Sequence, residues 1–270
     1  MALNDFLPSH LSLLDKNTTQ VPSLLIYLIS ILSKAIINAF AGECAVNPKA
    51  AEPIGTLVAQ VFGMEELQYE RNVLPVDAGQ HHEVSEQVVL TPSPKSRSVS
   101  LISILMAKMH KVAPILFGIN GPENTPAGRF RLGWRTEGDT RKAFVSEQQH
   151  YDRLTGLGAG YASISTRNFS KSRMTNPYPP IHFWQSLSHI VNTKSEEIQT
   201  SHLVILKAMF ENSSVDRFVL FFGAAAIAAL RAALIELPGR LPRETAQRPA
   251  AMALRMLADT FKTEKKFSLT

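Results

Sequence analysis

Apolar residues recur at three- and four-residue spacing along most of this chain, the period of a helix that buries one face. Leu24, Leu28, Ile31, Leu32, Ala35 and Ala39 form the first such stripe. Pro22 stands where a helix tolerates a residue without an N–H, so a helix with this stripe buried is predicted from residue 22 to about 40. Asn47-Pro48 and Pro53 then mark a turn into a second helix over 54–62, and a third over 101–111 stops before Pro114. Further helices are predicted from about 144 to 166 and over 180–191, 201–212, 215–237 and 247–263. Within 215–237, the run Phe221-Phe222-Gly223-Ala224-Ala225-Ala226 suggests tight packing, because small residues let neighbouring helices approach closely. No segment sustains two-residue alternation between hairpin turns, so strands are minor at most. The expectation is an all-α fold, a HEAT-like stack of antiparallel helical pairs, although no repeat of ~40 residues stands out.

Two stretches interrupt the periodicity. Residues 118–142 carry five glycines and two prolines and read as a long loop, a class of segment that is often functional. Residues 66–99 are rich in Glu, His, Ser and Pro and end in Thr91-Pro92-Ser93-Pro94-Lys95-Ser96-Arg97. They offer little apolar surface and read as a disordered insertion, with a regulatory loop bearing proline-directed Ser/Thr sites as the alternative. Residues 1–21 form a lead, and 22–270 form one helical domain around that insertion. A basic polar linker spans 167–175.

Composition narrows the setting. Hydrophobic residues make up 45% of 270, enough for a sizeable core. Cys44 is the sole cysteine, which rules out an intramolecular disulfide and any cysteine-based metal site and points to a reducing compartment. The N-terminus lacks the positive region of a secretory signal. The most apolar run, 24–32, is shorter than the ~20 residues of a membrane span, so no membrane insertion is expected. A net charge of +5, from 28 basic and 23 acidic residues, permits an anionic partner without demanding one.

Several chemical readings fail on spacing. Gly156-Leu157-Gly158-Ala159-Gly160 lies inside a helical pattern without the preceding strand of a dinucleotide site, so close helix packing explains it better. His81-His82-Glu83 are adjacent and their side chains diverge, which disfavours a shared metal. No Ser, His and acid set has a catalytic motif around it, and an enzymatic role is not expected. The basic residues carry more. Lys34 and Asn38 are four apart on the first helix, and Lys108 and Lys111 are three apart on the third, so each pair shares a face. If those helices are neighbours, a cationic pocket suited to a highly phosphorylated small molecule results. Arg129, Arg131, Arg135, Arg141 and Lys142 flank Phe130 and Trp134, a basic and aromatic mixture that suits RNA or a partner, or a loop packing its own aromatics under a solvated rim.

Longer motifs go further. Tyr151-Asp152-Arg153-Leu154-Thr155-Gly156 opens a helix, Asn176-Pro177-Tyr178-Pro179 leads to Trp184 and then Ile190-Val191-Asn192, and residues 104–117 are followed by Gly128-Arg129 and Gly133-Trp134. This constellation resembles the C-terminal domain of the Gle-type mRNA export mediators of the nuclear pore. The resemblance implies a helical fold similar to the middle domain of the translation-initiation scaffold and a role without catalysis. It implies that the domain activates a nuclear-pore DEAD-box RNA helicase at the cytoplasmic face of the pore, meets RNA indirectly through it, and docks a Phe-Gly-repeat nucleoporin and translation factors. In fungal members, lysines matching Lys34 and Lys111 and a basic residue matching Lys108 hold inositol hexakisphosphate. Here Val112 stands in the second place of a Lys-Lys pair, Ala113 replaces a Cys and Asn38 a His, which implies reduced affinity. The runner-up is a HEAT-like scaffold that binds RNA or translation factors directly.

Overall fold

Residues 23–41 contain no Gly or Pro and are apolar on most faces, so burial outweighs the middling propensity of their Ile and Ser residues and they form α1 (Ser23–Ala41). The structure, a computed structural model, describes residues 21–71, 97–138, 143–211, 213–264 and 269. Of the predicted lead, 1–21, only Val21 lies among them. The buried face of α1 is Ile29, Ser33, Ile36, Ile37 and Phe40, whereas Leu24, Leu28 and Ile31 of the predicted stripe are exposed. That stripe was misassigned because the helix is apolar almost all round, so periodicity alone does not fix which face turns inward. Ser33 enters the core without an unpaired donor, since its Oγ donates back to the Ile29 carbonyl at 2.7 Å. Continuous helix and turn from Ser23 to Val46 is long and apolar enough to cross a membrane by length and composition, beyond what the run 24–32 suggested. Here α1 packs against other helices of the fold.

The chain continues through α2 (Glu43–Val46), a 3-10 turn at Pro48–Ala50, and α3 (Ala51–Phe62). Beyond it, β1 (Gln68–Arg71) pairs antiparallel with β2 (Arg97–Ser100). Both strands lie in the stretch read as a disordered insertion, so its two ends are tied together. Leu67 is buried, and Gln68 Nε2 donates to the Phe62 carbonyl at 2.7 Å, which anchors this ladder to α3. Residues 72–96, with His81, His82 and the Thr-Pro and Ser-Pro sites, lie outside the described residues.

α4 (Ile102–Val112) lies against α1. The loop after it is not structureless: it holds α5 (Pro126–Arg131), capped by the Thr125 hydroxyl, and β3 (Thr136–Glu137), which pairs with β4 (Ala143–Phe144). Ser146 and Gln149 form a capping box that starts α6 (Glu147–Ser165) just past that strand. α6 is the centre of the fold, with α1, α2 and α3 against one side and α8 (Thr200–Phe210) against another, and α7 (Ile181–Val191) nearby. Its glycines make this possible. A Cβ at Gly156 would run into the Phe40 carbonyl and lie 2.6 Å from Ala45 N, and one at Gly160 would lie 2.6 Å from the Phe40 ring.

The predicted helix 215–237 is broken. α9 (Ser214–Phe222) ends at Gly223, whose φ of 54° suits glycine, and α10 (Ala224–Arg231) follows, passing through a π-helical turn at Ala232–Glu236 into α11 (Leu237–Arg240). The expectation of tight packing around Phe221–Ala226 holds at Phe222, which packs on Trp184, and at the fully buried Ala226, and fails at the residues between them. Ala224 and Ala225 are exposed, and a Cβ on Gly223 would meet nothing within 4 Å, so that glycine serves the bend. α12 (Arg243–Ala246) and α13 (Pro249–Glu264) complete the chain, with α13 against α8. The described residues make an all-α fold with two minor strand pairs.

Candidate functional site

The two residue pairs singled out by spacing ride on neighbouring helices, α1 and α4. Lys34 and Asn38 continue the exposed face of α1 beyond Leu28 and Ile31, and Lys111 is exposed while Lys108 is half-buried. No ion pair among the described residues engages any of the three lysines. Ala113 is fully buried, so the residue that departs there from the family pattern is a core position. His110 packs its ring against Phe117, with centroids 5.0 Å apart.

The arginines of the following loop part company. Arg129 is turned inward: its guanidinium lies 4.6 Å from the Trp134 ring centroid and 5.5 Å from that of Phe144, and its Nε donates to the Glu123 carbonyl at 2.7 Å. It therefore packs the loop. Arg131 and Arg135 are exposed, as is Phe130 at 54%. Trp134 is buried and stacks on His150 at 4.0 Å. Arg141 and Lys142 lie outside the described residues.

Three buried groups were invisible to spacing. His150 is fully buried, its Nε2 3.1 Å from Ser201 Oγ, and burial together with the charges of Arg153 and Arg129 pushes its pKa down to about 3. His202 is likewise fully buried; burial lowers it to about 4 while it bridges Gln199 N and Asn120 Oδ1. Arg153 is 7% exposed and pairs with no carboxylate among the described residues: its Nη1 donates to the Gly133 carbonyl at 2.9 Å and its Nη2 to the Val112 carbonyl at 3.1 Å.

A fourth cluster ties distant chain segments together. Glu52 on α3 pairs with Arg167 at 2.5 Å and Arg217 at 2.9 Å and accepts from Ser213 Oγ at 3.0 Å. Burial pushes its carboxyl up, but the Arg217 hydrogen bond and the two guanidinium charges outweigh that and hold it below the ordinary carboxylate value. On the far side of α6, Glu123 accepts from Tyr151 Oη and from the Ser201 N–H, which caps the start of α8. Between α6, α8 and α13, Tyr151, Thr155, Val204, Lys207, Arg248 and Ala253 are among the residues around a half-open groove of about 460 Å³. His150 and Ser201 stand within hydrogen-bond reach of each other, but both are fully buried and closed to a substrate in this structure, and no group of three His, Cys, Asp or Glu among the described residues could hold a metal.

The all-α fold of the described residues is shared with known structures. The chain matches chains of two solved complexes of Saccharomyces cerevisiae, the Dbp5 L327V C-terminal domain bound to IP6 and to Gle1 or Gle1 H337R. Each gives a TM-score of 0.68 at 20% identity over 90% of this chain and 71% of that chain, a likeness of fold. The family model for GLE1-like proteins matches residues 1–234, and the chain belongs to that family. The mRNA export factor GLE1 of Chaetomium thermophilum is 40% identical over 253 residues, 94% of this chain and 41% of that protein. The same factor of S. cerevisiae is 22% identical over 200 residues, 73% of this chain and 30% of that protein. The chain thus spans well under half the length of these relatives.

Proposed function

We propose that this domain is a non-enzymatic mRNA export factor that binds inositol hexakisphosphate across α1 and α4 and stimulates the ATPase cycle of a DEAD-box RNA helicase at the cytoplasmic face of the nuclear pore. The observation that carries this reading is the packing of α1 on α4, with Lys34 and Asn38 on one helix and Lys108 and Lys111 on the other, none of the lysines committed to a carboxylate among the described residues. Each ammonium group donates charge-assisted hydrogen bonds to phosphate oxygens, and a polyphosphate neutralises lysines of both partners at once. Stimulation requires that the domain prefer the open arrangement of the helicase lobes, so that RNA and product leave sooner. A Phe-Gly-repeat nucleoporin and translation factors are further proposed partners, with RNA met through the helicase. Exposed Met252, Met256 and Leu220 in the C-terminal half support an apolar nucleoporin contact there, while Phe218, Leu230, Leu254 and Phe261 are committed to the core. A second reading, a scaffold that binds RNA directly through Arg131 and Arg135, rests on the exposed Phe130 beside them.

One assay separates the two. The ATPase rate of the cognate helicase, with RNA held constant, should rise when this domain and inositol hexakisphosphate are added. Lys111→Ala and Lys34→Ala should each weaken binding of the ligand in the helicase complex by about ten- to a hundredfold, the effect of losing one charged hydrogen-bonding partner. Unchanged binding in both variants would sink the pocket, and RNA binding without any rise in ATPase rate would select the scaffold.

A further inference from the structure

The geometry points to Arg153 as a positioning residue for the phosphate pocket: it clamps the last turn of α4 and thereby sets where Lys108 and Lys111 stand relative to Lys34 on α1. The inference rests on the pocket reading above.

A buried arginine is costly where its charge has left water and, among the described residues, meets no carboxylate. Here the charge meets two carbonyls, and which two is informative. Val112 is the last residue of α4, and its carbonyl is one of those a helix leaves unpaired at its C-terminus, where the helix dipole is negative. Gly133 closes the loop that α4 feeds, with φ 80°, and a Cβ there would lie 2.8 Å from that same Val112 oxygen and 2.9 Å from Pro114. The α4 terminus, the Gly133 turn and α6 therefore meet at one point, and Arg153 is the only side chain whose hydrogen bonds among the described residues span all three. Burial lowers its pKa only to about 10, so the guanidinium stays charged at neutral pH. Lys111 is the neighbour of Val112 in sequence, and Lys108 is one turn back. If this carbonyl clamp is released, the last turn of α4 loses its side-chain tie to α6, while the body of α4 stays packed on α1, so the shift is confined to the turn that carries Lys108 and Lys111. Nothing in this geometry needs Arg153 to touch the ligand.

The test uses the whole 270-residue chain with the variants Arg153→Met and Arg153→Lys. Lysine keeps the charge but cannot present the planar fork to two carbonyls at once. Two readouts distinguish positioning from general weakening. The first is amide exchange, independent of any ligand. The Ala113 amide, which donates to the Met109 carbonyl at 2.8 Å, should exchange about tenfold faster in both variants relative to amides of α13. Uniform acceleration across the fold, or none, overturns the clamp. The second is the affinity for inositol hexakisphosphate in the helicase complex, measured well below the melting temperature. It should fall about tenfold in both variants and not in Leu237→Ala, a core change far along the chain chosen to weaken the fold without touching α4. In a double-mutant cycle the Arg153→Met effect should shrink once Lys111→Ala is present and largely vanish once Lys108→Ala is present as well, since a misplaced lysine matters only while it is there. Additive losses overturn the proposal. A wild-type chain that does not bind the ligand removes the pocket reading and with it the positioning role, whatever the exchange result at Ala113.

Discussion

Substituting Gly156 with alanine pits helix propensity against packing, and the structure decides which wins. Alanine is favoured over glycine inside a helix by about 1 kcal/mol, so on propensity alone the change stabilises. The added methyl, however, would overlap the Phe40 carbonyl oxygen and lie 2.6 Å from Ala45 N and 2.9 Å from Cys44 C. All three are backbone atoms of the elbow between α1 and α2, and they cannot rotate away as a long side chain would. The elbow is itself pinned, since Phe40 and Cys44 are both fully buried. Overpacking of this kind costs roughly 1–3 kcal/mol and occasionally more. Immovable backbone puts this site at or beyond the upper end, which leaves a net loss of about 2–3 kcal/mol after the propensity gain. For a domain of this size each kcal/mol moves the melting temperature by roughly 2–4 °C, so a fall of about 5–10 °C is expected. Gly239→Ala is the matched control. It lies in α11 with nothing within 4 Å of its added Cβ, and it should leave the melting temperature unchanged or raise it slightly. Thermal melts of the two variants side by side would refute the packing account if Gly156→Ala were neutral or stabilising.

Two further outcomes follow from the buried charges. His150 and His202, held at about 3 and about 4 in the fold against an ordinary 6.5, stay neutral while the unfolded chain takes up protons; stability is therefore full above pH 6.5 and is lost as pH falls below it, by about 2 kcal/mol per histidine at pH 5. Their imidazole resonances should stay flat between pH 7 and 5, and a normal titration of either would contradict its burial. Glu52→Gln should lower stability by about 2 kcal/mol, less than for a fully buried pair because the carboxylate is a quarter exposed, as read by urea unfolding at pH 7. Because the folded value of Glu52 lies below its unfolded 4.5, its contribution is present above pH 4.5 and lost as pH falls through the folded value; the variant should lack that acid-side loss, and a wild-type pH profile in it would count against the cluster.

Periodicity located the helices well where a stripe is flanked by polar residues, as in α7 and α13. It failed on orientation in α1, whose second face is nearly as apolar as its first, so that Ile29 and Ile36 are buried while Leu24 and Ile31 are not. It also missed the break at Gly223, because a glycine within an alanine run reads as a small packing residue until the backbone shows a positive φ. The glycines of α6 were legible for the opposite reason: three at two-residue intervals inside a helix have no use except close approach. Arg153 and His150 carried no signal of their own, since an arginine and a histidine in a helical pattern are ordinarily solvated, and only tertiary packing makes them buried. Glu52, Arg167 and Arg217 were equally hidden, being far apart in sequence and joined only when α3, the end of α6 and α9 converge.

The departures from the family pattern change meaning once their positions are known. Ala113 is fully buried and its N–H is held by the Met109 carbonyl, so a cysteine or an alanine there affects packing and not the charge offered to a phosphate. Val112 differs. Where the resemblance implies a lysine, its side chain brings no cation, yet its carbonyl still receives Arg153, a contact any residue at that position supplies. The backbone frame of the α4 terminus is thus independent of the charge lost there. Asn38 remains exposed one turn beyond Lys34, where a neutral amide can still donate to a phosphate oxygen but brings no net charge. Restoring the cation with Val112→Lys should then strengthen ligand binding, read by titration in the helicase complex, at the expense of the apolar contacts the half-buried valine makes with the core, since the main-chain acceptor for Arg153 is kept.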